Sequence, residues 1–265
     1  MLTEVHVPED VPAAVGLIAS GATILGGGTS LMPALNDYGS PPTELVSLRR
    51  TGLSGITVTG STATTGSTAT IGATTTLSQI EHDPRLEILN SVVRSIASVP
   101  VRNLATVGGN LFVRQPYGDL AVALVALNAR ALPADGSGPA ELPLERPALV
   151  TAVTFELPAP GVFKYVKAAR RRWNSASLVT VAATIVELDG LVSGARVALG
   201  GVSDHIVRAA AVEEALLGRP LTDETVAAAA RAGLGELSPA DDAYASAWYR
   251  TRVFPVHLRR ALLGR

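Results

Sequence analysis

Two glycine-rich segments of the chain carry residue types that bind phosphate groups. The first is the run Leu25, Gly26, Gly27, Gly28, Thr29, Ser30 and Leu31. The second, 105–119, contains Thr106, Gly109, Asn110 and Asp119. Glycine lets backbone N–H groups approach a ligand, and successive N–H groups form a nest for phosphate oxygens. The carboxylate of Asp119, at the end of the second segment, can accept hydrogen bonds from a sugar hydroxyl. Together the segments predict a site for a long ligand with two phosphates, such as a dinucleotide.

The first segment also has a plainer interpretation, a tight turn between a strand and a helix. The hydroxyls of Thr29 and Ser30 favour the pyrophosphate hypothesis, because they stand beside free backbone donors. The G-x-G-x-x-G fingerprint of a dinucleotide-binding fold is absent, since the glycines are contiguous and a helix and a strand precede them.

Composition excludes several other classes of function. The 265 residues are 47% apolar and 4% aromatic, and 22 basic residues nearly balance 23 acidic ones, so nothing points to nucleic acid or a membrane surface. The chain has no cysteine, which excludes thiolate-bound iron–sulfur clusters, disulfides and thiol nucleophiles. Its four histidines are scattered, and we expect no metal site. No signal peptide is evident and no apolar run approaches ~18 residues, so a cytoplasmic protein is predicted.

The first half of the chain alternates helices, strands and turns. Residues 8–12 open a helix that runs to about Ser20, and a short strand, 22–25, leads into the first glycine segment. Strand-like pieces 56–58 and 68–71 predict a hairpin across a Thr/Ser/Gly-rich turn. The remaining elements are a capping box at Thr76 and Gln79, a helix over 86–97 that Pro100 stops, and a buried helix over 120–127.

The second half follows a short polar segment, 141–147, and a strand over 149–157. The Pro/Gly-rich stretch 158–161 indicates a domain boundary. Strands over 162–169, 178–188 and 194–199 predict a β-meander, and helices follow over 209–217, after Thr222 and over 243–263. The run Arg170, Arg171 and Arg172 is either a solvated charge run, the favoured interpretation, or a patch facing an anionic partner.

Five segments in order resemble the FAD-binding, or medium, subunit of molybdenum hydroxylases, the family of carbon monoxide dehydrogenases and xanthine dehydrogenases. The segments are 24–33, 70–75, 105–119 (T-x-G-G-N followed by P-x-x-D), 195–202 with Arg208, and Tyr249-Arg250 with 259–262. The resemblance covers nearly the whole chain.

The resemblance implies an α+β fold in which two subdomains of the vanillyl-alcohol-oxidase type bind FAD, followed by a C-terminal antiparallel sheet with helices. The expected domains are 1–55, 56–160 and 161–265. It implies that 26–31 hold the pyrophosphate through backbone donors. Thr106, Gly109 and Asn110 would hold the pyrophosphate and ribityl region, and Asp119 the adenosine ribose.

Two positions of the C-terminal part are open to more than one interpretation. Lys167 resembles a lysine that the family places close to the flavin, and its alternative is a surface lysine on a strand. Where the family commonly has R-x-S-x-D, this chain has Arg171, Arg172, Trp173, Asn174 and Ser175. Trp173 could stack on the isoalloxazine or cover an apolar patch.

The resemblance implies an FAD-dependent oxidoreductase, an electron-transfer subunit. In the family, electrons pass from a molybdenum-cofactor large subunit through iron–sulfur clusters on a small subunit to FAD, and then to NAD, a quinone or oxygen. A chain without cysteine or metal ligands fits one part of such a complex. Two alternatives are a stand-alone flavoenzyme acting on a small metabolite, which the altered segment 173–175 supports, and a flavin-free scaffold module.

Overall fold

The computed structural model of the chain describes residues 2–36, 42–60, 66–144 and 148–264. Within these ranges the strands form three sheets, and each sheet uses a different stretch of the sequence. Across the same ranges, no helix combines the length and the apolar character needed to cross a lipid bilayer.

The first sheet is parallel and carries the first glycine segment at its edge. Its strand order is β1-β3-β2. The elements are β1 (Glu4–His6), α1 (Val11–Ala19), β2 (Thr23–Leu25), α2 (Leu31–Asn36) and β3 (Glu44–Ser47). Asp10 caps α1 by accepting a hydrogen bond from the Ala13 N–H (2.8 Å), and a proline occupies the first turn, where its missing N–H costs nothing. Since β2 ends at Leu25, the chain enters the glycines directly from a strand.

The second sheet is antiparallel, with strand order β4-β5-β8-β6-β7. Its strands are β4 (Ile56–Thr59), β5 (Thr68–Gly72), β6 (Arg130–Pro133), β7 (Ala140–Glu141) and β8 (Val150–Glu156). Its helices are α3 (Leu77–His82), α4 (Asn90–Ser95), α5 (Val99–Leu104), α6 (Val107–Phe112) and α7 (Asp119–Ala126). The predicted hairpin of β4 and β5 is confirmed. Residues 61–65 of the predicted turn, and 145–147 of the predicted polar segment, lie outside the described residues.

The third sheet is the predicted meander, antiparallel in the order β12-β11-β10-β9. Its elements are β9 (Phe163–Ala169), β10 (Ser177–Leu188), β11 (Leu191–Gly200), β12 (Val207–Arg208), α8 (Ala210–Leu216), α9 (Asp223–Gly233) and α10 (Ala247–Leu263). The last helix begins four residues later than the sequence predicts, because Ser246 caps it by accepting the Tyr249 N–H.

Helix α7 joins the second and third sheets. All eight of its residues are buried, and it packs on β10 and β11 as well as on α4 and α6. The core that contains α7 therefore includes Ala182, Ala198 and Ile206 from the C-terminal part of the chain. On its other face, the third sheet packs against α8, α9 and α10 around Phe254 and Leu258. A site residue at the start of α7 is thereby held by both parts of the chain.

Two sequence predictions about helices are wrong. Residues 86–97 do not form one helix: a 3-10 turn, Pro84–Leu89, precedes α4, and Leu86 has a non-helical backbone (φ −111°). Pro100 does not simply stop a helix either, since it lies in the first turn of α5, a position that tolerates proline. The apolar spacing that suggested one helix reflects burial of Leu89, Val92 and Val93 in the same core.

Candidate functional site

The two glycine segments contact each other. A Cβ on Gly26 would lie 2.9 Å from the Thr106 Oγ1, and a Cβ on Gly27 would lie 1.7 Å from the carbonyl oxygen of Leu104. Neither position has room for a methyl group, and at Gly27 the obstacle is backbone, which cannot rotate away. The structure thus brings together Thr106 and the first segment, which are far apart in the sequence.

The first segment presents unpaired backbone donors. Among the described residues, the backbone N–H groups of 27–30 donate no hydrogen bond. Gly28 has φ +73°, a conformation that L side chains rarely adopt. The residues from Gly26 to Thr29 are half-buried. Consecutive donors in such a turn form an anion-binding concavity.

The second segment does not present such a nest, and this corrects the sequence prediction. Thr106 caps α6, and its Oγ1 accepts the Gly109 N–H at 3.1 Å. The N–H groups of Val107, Gly108 and Asn110 are bonded to the carbonyls of Thr75, Ala73 and Thr106. The glycine pair therefore forms the first turn of a helix, with its backbone donors already used.

Because the backbone N–H groups of 107–110 are already bonded, the second segment can bind a ligand only through polar side chains. The Asn110 Oδ1 accepts the Ala121 N–H at 3.0 Å, which leaves its NH₂ group as a donor. The Thr106 hydroxyl keeps its own hydrogen for donation, because its oxygen is the acceptor of the cap. Gly108 is required for packing, since a Cβ there would lie 3.1 Å from the Ala73 carbonyl oxygen.

Asp119 and Lys167 form a buried ion pair. The Lys167 Nζ lies 2.8 Å from the Asp119 Oδ2 and also donates to the Ser95 carbonyl at 2.9 Å. The Asp119 Oδ1 accepts hydrogen bonds from the Ser177 and Thr180 hydroxyls, both at 2.6 Å. As the first residue of α7, Asp119 also lies at the positive end of the helix dipole. The pair therefore ties α7 and α4 to β9 and β10, and Lys167 is not a surface lysine.

A buried phenol lies beside this ion pair. The Tyr165 hydroxyl is 2.8 Å from the Ser95 Oγ, which in turn bonds the Val92 carbonyl. Burial, and next the negative charge of Asp119, raise the pKa of Tyr165 well above its ordinary value. The phenol is therefore neutral and serves as a hydrogen-bonding group.

A buried arginine fixes the strand that supplies Ser177. The Arg250 Nη1 donates to the carbonyls of Leu178 (2.6 Å) and Gly201 (2.7 Å), and its Nη2 pairs with Asp242 at 2.7 Å. Burial opposes ionisation of Asp242, but the N–H groups of Ala245 and Tyr244, together with Arg250, hold its pKa below the usual value. This arrangement locks the start of α10 onto the start of β10.

The role of these partners was missed by sequence reasoning, which singled out none of Ser95, Tyr165, Ser177, Thr180 and Asp242. One signal was present. Ser177 and Thr180 are polar residues in the otherwise apolar first half of β10, where a buried hydroxyl needs a partner.

The altered segment 171–175 lies on the surface. The Trp173 ring is 59% exposed, and the Arg172 guanidinium stacks on it at 5.0 Å. Asn174 has φ +48°, and its carbonyl accepts a hydrogen bond from Arg171. Trp173 is therefore largely open to solvent, and both of its proposed roles, stacking on the isoalloxazine and covering an apolar patch, stay predictions.

Comparisons with known proteins identify the family and the fold of this chain. A family model described as "FAD binding domain in molybdopterin dehydrogenase" matches residues 2–154, and one described as "CO dehydrogenase flavoprotein C-terminal domain" matches 164–264. The 6-hydroxypseudooxynicotine dehydrogenase complex subunit alpha of Paenarthrobacter nicotinovorans is 30% identical, over 97% of this chain and 92% of that protein. The carbon monoxide dehydrogenase medium chain of Hydrogenophaga pseudoflava is 29% identical, over 98% and 95%.

A solved structure of carbon monoxide dehydrogenase from Hydrogenophaga pseudoflava superimposes with a TM-score of 0.88 at 28% identity, over 99% of this chain and 96% of that one. The predicted fold class and family resemblance are therefore confirmed, whereas the limits at 55/56 and 160/161 stay predictions. The glycine contacts and the unpaired donors of 27–30 fit a pyrophosphate ligand. This chain belongs to the family of FAD-binding medium subunits of molybdenum hydroxylases, and its cofactor is FAD.

Proposed function

We propose that this chain is the electron-transfer flavoprotein subunit of a molybdenum hydroxylase. In this proposal it receives electrons from iron–sulfur clusters on a small subunit, which a molybdenum-cofactor large subunit supplies. The final acceptor is NAD, a quinone or oxygen, and the location is cytoplasmic. FAD supplies the redox chemistry, and the protein supplies position and electrostatics.

The observation that carries the proposal is the contact between the two glycine segments. Residues 26–30 would bind the pyrophosphate through backbone N–H groups, with Leu25 and Leu31 as the apolar residues on either side. Thr106 would add its hydroxyl and Asn110 its amide NH₂, while Gly109 keeps the surface between them free of side chain. These donors are fixed by the fold before any ligand binds, which lowers the entropy cost of binding.

The roles of Asp119 and Lys167 toward the cofactor stay predictions. In this structure, their charged atoms are engaged with each other, with Ser95 and with two hydroxyls of β10. We propose that they act chiefly by fixing the start of α7 and the strands beside it. A direct contact with the cofactor would require the exchange of at least one of these partners.

A visible absorption spectrum of the purified chain, followed by anaerobic titration with NADH, tests the proposal. Flavin bands that bleach with NADH support a subunit that acts at the nicotinamide end of an electron chain. Flavin bands that ignore NADH but bleach with reduced iron–sulfur protein place the acceptor elsewhere. A colourless protein that takes up no added FAD contradicts the proposal.

A second candidate is a stand-alone flavoenzyme acting on a small metabolite. The altered segment 173–175 favours it, because this chain lacks the family's usual serine and aspartate there and exposes a tryptophan instead. Reduction of the flavin in the isolated chain by a small metabolite, without any partner chain, would support this candidate over the first.

A further inference from the structure

Exposed aromatic side chains gather at one end of the C-terminal sheet. We call the four residues Tyr117, Trp173, Tyr244 and Trp248 the aromatic surface. Their exposed fractions run from 36% for Tyr244 to 68% for Trp248. Only 4% of the chain is aromatic, and both of its tryptophans lie here. Exposed aromatic clusters of this kind mark interaction sites more often than solvated surface.

Three segments of the chain build the aromatic surface side by side. The Tyr117 and Tyr244 hydroxyls are 2.5 Å apart, and their rings meet edge to face with centroids 6.3 Å apart. The Arg170 Nη1 is 3.4 Å from the Ala243 carbonyl, which joins the loop that carries Trp173 to the segment before α10. Trp248 follows in the first turn of α10.

The surface is held in place from beneath. Asp242, paired with buried Arg250, accepts the backbone N–H groups of Tyr244 and Ala245. On the other side, the Gln115 amide donates to the Tyr117 carbonyl and accepts the Gly201 N–H. A rigid aromatic surface loses little conformational freedom when a partner binds, which favours tight association.

The charge around the aromatic surface is positive. Arg114, Arg171, Arg172 and Arg252 are exposed and pair with no described carboxylate, although the whole chain has a formal net charge of −1. Two of them stack on the tryptophans, Arg172 on Trp173 and Arg252 on Trp248. Tryptophan, tyrosine and arginine are the residue types that contribute most to protein interfaces.

The acidic residues in the same segments are too few to neutralise these four arginines. Asp119 and Asp242 are paired with Lys167 and Arg250, which leaves Asp241 as the one other carboxylate in residues 114–119, 170–176 and 241–252. The surface therefore combines an apolar, aromatic centre with a cationic rim. Its complement is a patch with an apolar centre and carboxylates around it.

We propose that the aromatic surface docks another protein chain of the same complex, through a patch with carboxylates around an apolar centre. The inference rests on the proposed function, because membership of a complex is what supplies the partner chain. A protein patch is favoured over a nucleic acid because the whole chain has a formal net charge of −1, whereas affinity for nucleic acid depends on a large excess of positive charge.

Hydroxyl-radical footprinting of the assembled complex tests the proposal. The complex is isolated from its own cells through a tag on this chain, and its iron and molybdenum content identifies the partner chains. Oxidation of Trp173 and Trp248 is then compared with that in the isolated chain, by mass spectrometry of their peptides. We expect it to fall about fivefold or more in the complex, as for residues at the centre of an interface. The internal control is Leu188, which is exposed at the far end of β10.

A pair of charge reversals tests the cationic rim. The R171E/R172E variant should lower the affinity for the partner chains about tenfold or more, and added salt should weaken the wild-type complex in the same way. The matched control is R49E/R50E, the same change at two adjacent exposed arginines on the first domain. Flavin absorbance and thermal unfolding of each variant show that folding and FAD binding are retained.

Several outcomes would overturn the inference. These are unchanged oxidation of both tryptophans in the complex, or equal affinities for the two double variants. Protection of the tryptophans in the isolated chain by a single-stranded oligothymidylate or by anionic vesicles at physiological salt would also contradict it. If the tryptophans are protected but the chain carries no flavin, the proposed function fails and docking stands. If flavin is bound and the tryptophans stay unprotected, only the inference fails.

Discussion

The buried pair of Asp119 and Lys167 allows the sharpest test of the structure. Removing one charge leaves the other buried and uncompensated, since the side chains of both residues are less than a tenth exposed. Breaking a buried pair in this way costs about 3–5 kcal/mol. Asp119→Asn and Lys167→Met should each lower the free energy of unfolding by this amount, a large part of the ~5–15 kcal/mol that stabilises a typical domain.

The double variant D119N/K167M separates the pair from its surroundings. The double variant should lose less unfolding free energy than the two single variants together, by about 2 kcal/mol or more. The reason is that neither charge is left buried without its partner. Urea unfolding of the flavin-free chain, followed by circular dichroism, measures all four free energies. Glu9→Gln is the control, because Glu9 faces Arg50 at 4.0 Å on the surface and should matter by less than about 1 kcal/mol.

Two results would refute this reasoning. The first is that each single variant loses less than about 1 kcal/mol of unfolding free energy and that the double variant loses the sum of the two. This would show that the charges are not a coupled buried pair. Alternatively, Asp119→Asn could leave the stability unchanged and lower the affinity for FAD. Asp119 would then act on the ligand, as the family resemblance implies, and not on α7.

Three further predictions follow from individual contacts. Gly27→Ala should abolish FAD uptake, because its Cβ would collide with backbone, whereas Gly16→Ala, with nothing within 4 Å, should keep the flavin absorbance. Burial, and next the charge of the neighbouring Arg260, hold the pKa of His257 below its ordinary 6.5. Because the unfolded chain then binds the proton more tightly, the free energy of unfolding should fall as the pH drops below 6.5. Urea unfolding at several pH values should show this fall for the wild type and not for His257→Gln. The hydrogen bond with Tyr244 raises the pKa of Tyr117 to about 12. In the Tyr244→Phe variant, spectrophotometric titration should find the pKa of Tyr117 back toward 10. An unchanged pKa of Tyr117 would contradict the hydrogen bond.

Local sequence signals predicted much of the secondary structure. Thr76 and Thr222 cap helices as their spacing indicates, and the hairpin of β4 and β5 and the meander of β9 to β11 are present. These features depend on residues close in the chain, such as a side-chain oxygen three residues before an N–H group. The family resemblance depended equally on short runs in a fixed order.

Other helices were misjudged because burial and helical periodicity produce the same apolar spacing. Leu86, Leu89, Val92 and Val93 are all buried, yet the first two lie in a 3-10 turn and only the last two lie in α4. Asp83 caps this turn, Pro84 is its first residue, and the non-helical backbone at Leu86 interrupts the helical path. Apolar spacing records which residues face the core and says less about the backbone between them.

For the candidate site, the sequence by itself determined which residue types are available: contiguous glycines, hydroxyls, an asparagine and no cysteine. Only the tertiary structure decided which donors are free. It left the N–H groups of 27–30 without a partner among the described residues, and it used those of 107–110 in capping α6 and bonding Ala73 and Thr75. It also paired Asp119 with Lys167 across 48 residues and placed Arg250 under β10. A backbone donor or a charge is satisfied by whatever the fold brings within about 3 Å, and residues distant in the sequence meet only when the core packs.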